Sequence, residues 1–78
     1  MSPRLPSLSS REIIRALRKA GFVDAPKRGK GSHRALTKST EGRVWLVIVP
    51  DSKDIPRGAL QAILEQAGFT TQGFQKLL

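Results

Sequence analysis

Apolar residues along the chain follow three successive rhythms. From residue 9 the spacing is helical: Ile13, Ile14, Leu17 and Ala20 fall on one face, while Arg11, Arg15, Arg18 and Lys19 fall in water. Ser9 is placed to cap this helix, Glu12 to complete a capping box three residues on, and Leu8 to pack against Ile13 as a hydrophobic staple. Gly21 ends it, with Phe22 folding back on Leu17 in a Schellman ending. The rhythm then becomes that of strands, predicted at Phe22–Ala25, Ser32–Thr37 and Arg43–Val49. Lys38–Gly42 reads as the polar turn between the last two.

The third strand is apolar on both faces. Trp45, Val47 and Val49 share one parity, and Val44, Leu46 and Ile48 the other. Helices can cover only one face of so small a sheet, so the other is expected to show apolar surface of the kind that marks a partner site. Trp45 is expected in the core. Pro50 closes the strand, and Asp51–Asp54 is read as a solvated turn whose two carboxylates cap and face water. Pro56 is assigned to the first position of a second helix, which carries Leu60, Ile63, Leu64 and Ala67 and stops at Gly68. Thr70 caps a last short helix holding Phe74, Leu77 and Leu78, weakened by Gly73. The shared Leu and Ala-Gly-Phe at the two helix ends, Leu17 to Phe22 and Leu64 to Phe69, reflect one stereochemical way of stopping a helix, not an internal repeat.

The order α-β-β-β-α implies an α+β two-layer sandwich, a three-stranded antiparallel sheet with helices on one face. Residues 1–7, with two prolines, two serines and no periodicity, are expected to form a flexible leader, leaving 8–78 as a single domain.

Charge narrows the function. Fourteen Lys and Arg against six Asp and Glu give a net charge of +8 in 78 residues. Such an excess points to a polyanionic partner, nucleic acid first, or to an acidic protein. With no cysteine and one histidine, disulfide frameworks, thiolate nucleophiles and two-histidine metal motifs are excluded. No metal or cofactor is implied. No apolar run approaches the roughly 20 residues of a membrane span, and the first ten residues lack a secretory apolar core, so the chain is expected in the cytoplasm.

The candidate chemistry lies in Lys27-Arg28-Gly29-Lys30-Gly31-Ser32-His33-Arg34. The only histidine stands there among two glycines and four cations, and imidazole is the one side chain present that gives and takes a proton near neutral pH. The glycines suit a tight turn between strands whose amides remain open to an anion.

These residues resemble the HicA-type toxins of HicA/HicB toxin–antitoxin systems. The likeness is carried by Ala20-Gly21-Phe22, by Gly31-Ser32-His33, by the apolar strand ending in Pro50, and by the run from Ile55-Pro56-Arg57-Gly58 to Ala67-Gly68-Phe69. It covers about residues 8–78. It implies a fold like the double-stranded-RNA-binding domain, activity as an mRNA interferase that arrests growth, and neutralisation by a HicB-type antitoxin. It also implies that His33 is catalytic and that Gly31 shapes its loop. The chain differs from the family pattern at Asp51, where a further histidine is common, and at Arg34, where an apolar or aromatic residue is. With one imidazole the minimal chemistry is removal of a 2′-OH proton by His33 while cations hold the phosphate. Lys27, Arg28, Gly29, Lys30, Gly31, Ser32 and Arg34 are the expected RNA and phosphate ligands. The alternatives are a non-catalytic RNA-binding module, in which His33 only touches phosphate, and a component that only docks on its antitoxin.

Overall fold

A computed structural model of the chain describes residues 8–25 and 31–78. Its elements are α1 (Ser10–Lys19), β1 (Val23–Asp24), β2 (His33–Thr40), β3 (Arg43–Pro50), α2 (Arg57–Ala67) and α3 (Thr71–Gln75). The strands form one antiparallel sheet in the order β1-β2-β3. This is the α+β arrangement that the residue pattern predicts. The expected leader, residues 1–7, lies outside the described residues.

Local chemistry sets both ends of α1. The Glu12 N–H donates to Ser9 Oγ at 3.3 Å and the Ser9 N–H donates back to Glu12 Oε1 at 3.1 Å, closing the capping box. Two of the amides that a helix start leaves unpaired are satisfied reciprocally. Replacing Ser9 with Ala should therefore cost about 1 kcal/mol, read as a lower urea midpoint at unchanged slope; no change in midpoint would contradict it. At the other end Gly21 takes φ +101, and the Phe22 N–H reaches Leu17 O at 3.0 Å. Gly68 repeats the device at the end of α2, with φ +76 and a Phe69 N–H bond of 2.9 Å to Leu64 O. Both are Schellman endings, which require a left-handed residue that only glycine adopts without strain.

The helices lie on one side of the sheet. Leu36 of β2 and Val47 and Val49 of β3 point toward them and join Ile13, Ile14 and Leu17 of α1, Ile63 and Leu64 of α2, and Phe74 of α3 in one buried cluster. Trp45 shares their parity and packs half-buried against the same cluster. Its indole N–H donates to Thr40 Oγ1, and the Arg43 guanidinium lies 3.7 Å from its ring centroid. The loop after β3 is tied to the start of α1, since the Ser10 N–H donates to Ser52 O at 2.9 Å and the Ile55 N–H to Leu8 O at 2.8 Å.

Several boundaries differ from the sequence reading: β1 is confined to Val23–Asp24, β2 begins at His33, and β3 runs on through Pro50. Lys38, Ser39 and Thr40 belong to β2 rather than to a turn, and the connection is Glu41-Gly42 alone, with Thr40 opposite Arg43 and Gly42 at φ +69. Polar residues in this segment find partners along the strand instead of water. Thr37 Oγ1 donates to Trp45 O, and Lys38 runs its stem past Gly21 so that its ammonium lies over the Phe22 ring and donates to Ala20 O at the end of α1. A long cation with an apolar stem thereby serves the helix-facing side of a strand. Pro56 is the residue before α2 rather than its first, holding an extended ψ of 149° and offering its carbonyl to the Leu60 N–H. α3 ends at Gln75, so Leu77 and Leu78 lie beyond the helix expected to hold them, and Leu78 is 46% exposed.

Candidate functional site

Alternation along β2 decides what can act with what. Arg34 pairs with Val49, which is fully buried, so Arg34 and Leu36 point to the helix side. His33 pairs with Pro50 and points the other way, to the face that none of the described helices covers. It is exposed, as are Gly31 and Ser32. On the same face Ala35 and Thr37 follow it along β2, and Pro50, Ile48 and Leu46 lie across on β3.

The segment before His33 is anchored to the end of β3. The Asp51 N–H donates to Ser32 O at 3.0 Å, which carries the ladder one pair beyond His33 and Pro50. Gly31 has φ +57, and nothing lies within 4 Å of where its Cβ would be. Glycine there supplies a left-handed turn rather than room, and the turn delivers Ser32 and His33 into the strand. The Asp51 carboxylate accepts from Ser10 Oγ at 3.4 Å, and the Ser52 hydroxyl and the Asp54 backbone bond to each other. Neither carboxylate caps a helix as expected: Ser9 caps α1, and Pro56, before α2, offers no side-chain cap. Among the described residues no three histidine, aspartate or glutamate side chains converge as metal ligands.

Of the eight residues singled out in the basic turn, the structure places His33 on the open face, just after the left-handed turn at Gly31, whereas Ser32, opposite Asp51, has the parity of Arg34. It separates Arg34 from His33. The Arg34 guanidinium lies 3.1 Å from Asp24 Oδ1, whose other oxygen lies 2.7 Å from Arg18 of α1. Grouping Arg34 with His33 at one phosphate is therefore corrected: adjacent strand residues face opposite ways. The burial of Leu36 two positions on was the signal that could have shown it. Lys27, Arg28, Gly29 and Lys30 lie outside the described residues.

The open face is apolar, as expected. Val44 and Val23 are 69% and 59% exposed, and Leu46 and Ile48 are half-buried between them. Ala35 is buried but stands outside the core cluster, shielded by its strand neighbours. β3 is an edge strand, and the outward Ile48 N–H is met by Gln66 Oε1 at 3.0 Å, which blunts part of that edge.

Together these features define a small basic α+β sandwich with an exposed histidine at the rim of an uncovered, apolar sheet face. The family model for the HicA toxin of bacterial toxin–antitoxin systems matches residues 10–69, from α1 through the Ala67-Gly68-Phe69 ending. The chain belongs to that family and is the toxin member of a toxin–antitoxin pair, which implies an antitoxin partner. Comparison with curated proteins gives no match. No helix among the described residues is long and apolar enough to cross a membrane.

Proposed function

We propose that the chain is a metal-independent RNA endonuclease, an mRNA interferase acting in the cytoplasm, with His33 as its catalytic residue. The observation that carries this reading is the placement of the one imidazole, exposed at the rim of the helix-free face behind the left-handed turn at Gly31. A macromolecular strand can reach it there without entering a cavity.

RNA brings its own nucleophile. His33 takes the proton of a 2′-OH, the 2′ oxygen attacks the adjacent phosphorus, and the bond to the 5′ oxygen breaks. That oxygen leaves with a proton from the imidazolium or from solvent, giving a 2′,3′-cyclic phosphate and a 5′-OH. Lys27, Arg28 and Lys30, with the backbone amides of Gly31 and Ser32, hold the phosphate and offset the charge that develops on it. Neutralisation follows from the apolar sheet face: a HicB-type antitoxin seated over Val44, Leu46 and Ile48 covers His33 as well and excludes RNA.

Replacing the 2′-OH at the scissile nucleotide by hydrogen should abolish cleavage there, while EDTA leaves cleavage of ordinary RNA unchanged. Gel analysis of one end-labelled RNA reads both. A strict magnesium requirement, or cutting of the 2′-deoxy position at the ordinary rate, would overturn the mechanism.

A further inference from the structure

The helix side of the sheet carries a second concentration of cations, separate from His33. A cleft of about 540 Å³ is lined by Arg11, Ile14, Arg15, Arg18 and Lys19 of α1 and by Arg34 of β2. Five of its six lining residues are cationic, and Ile14 is only 4% exposed. Two of the lining residues, Arg18 and Arg34, share one carboxylate, that of Asp24, at 2.7 and 3.1 Å. Among the described residues Arg11, Arg15 and Lys19 form no ion pair.

We propose that this cleft is a second binding site for the sugar-phosphate backbone of RNA, and that the Asp24 carboxylate occupies the place of a phosphate between Arg18 and Arg34. The proposal rests on the reading of the chain as an RNA endonuclease, and extends it to where the substrate is gripped away from the scissile bond.

Four of the five cations are arginines, whose planar forks match phosphate and carboxylate oxygens two at a time. The bridge from one carboxylate to two guanidiniums is the geometry that a phosphate with free oxygens would take. Arg11 to Lys19 covers about 12 Å at roughly 1.5 Å per residue, a length on the order of three to four nucleotides at about 3.4 Å each.

A protein partner suits the cleft poorly. Protein interfaces are organised around apolar and aromatic anchors, and here the one apolar lining residue is buried. Interfaces with nucleic acid are polar and strongly positive. The two faces thus divide their partners by chemistry, with apolar strands for the antitoxin and arginines for the RNA backbone.

The test uses the full chain with His33→Ala to prevent cutting, and a fluorescein-labelled RNA hairpin titrated at several salt concentrations. Adding Arg11→Gln, Arg15→Gln and Lys19→Gln together should flatten the plot of log affinity against log salt by about 2 to 3 units, since each lost phosphate contact removes about 0.7 to 0.9. Asp24→Asn, by removing the competing carboxylate, should tighten binding and steepen the slope. Circular dichroism checks that each variant folds. An unchanged slope in the triple variant, when the wild-type chain cuts the same hairpin, overturns this site and leaves the endonuclease reading standing. A chain that neither binds nor cuts RNA overturns both. Polyglutamate binding that depends on the three cations, with the RNA slope unchanged, gives the cleft to an acidic protein and overturns the proposal.

Discussion

Expression of the chain with His33 exchanged for Ala should no longer arrest growth, although the variant folds as the wild type does. Removal of a positioned general base typically slows a reaction about 10²- to 10⁴-fold, enough to turn an arresting dose into a tolerated one. The fold should not suffer, because His33 is exposed and contributes nothing to the buried cluster. Alanine in a strand position costs only a fraction of the roughly 1 kcal/mol range of strand preferences. Growth curves under an inducible promoter, with the variant's accumulation checked by immunoblot, measure the effect. Full arrest by a variant that accumulates normally would remove His33 from the chemistry and favour a toxin that acts by binding.

The largest effect on stability is expected at Gly68. A Cβ there would stand 2.7 Å from Trp45 Cζ3 and 2.9 Å from Cη2, at a backbone φ of +76. The indole has little freedom to retreat, held as it is by Thr40 on its N–H and by Arg43 across its ring. Gly68→Ala therefore combines a left-handed alanine, about 1–2 kcal/mol, with overpacking of about 1–3 kcal/mol. A loss on the order of 2–5 kcal/mol is large for so small a domain. Gly42→Ala is the control, with φ +69 and nothing within 4 Å of the added carbon, so it should show the conformational cost alone. Urea unfolding of the two variants separates the contributions. Equal midpoints would mean that Trp45 does not press on the end of α2.

Both helix endings could be read from sequence because their cause is local: an Ala-Gly-Phe run fixes a left-handed residue and the apolar contact after it within a few positions. The capping box of α1 was legible for the same reason, and so was the two-sided apolar character of β3. The extent of β2 was not. Lys38, Ser39 and Thr40 have the composition of a turn, and only the partners at Ala20, Val44 and Trp45 keep them in a strand. Long-range pairing of this kind overrides local preference and leaves no local sign.

The candidate site was legible as a place but not as a geometry. A lone histidine between glycines and cations marks where to look, yet it does not say that Arg34 faces away from His33 or that Asp24 holds it beside α1. The basic face of α1 was visible as spacing, and read as a solvated surface. Its convergence with Arg34 depends on how the helix lies across the sheet, which three-dimensional packing alone decides.

The measurement that bears most directly on the central claim is cleavage of one end-labelled RNA by purified protein in EDTA, with the wild-type chain and His33→Ala matched for folding by circular dichroism. The account predicts fragments ending in 2′,3′-cyclic phosphate from the wild type and a rate at least 100-fold lower from the variant, the order of a lost general base. Equal cleavage by the two proteins would contradict it.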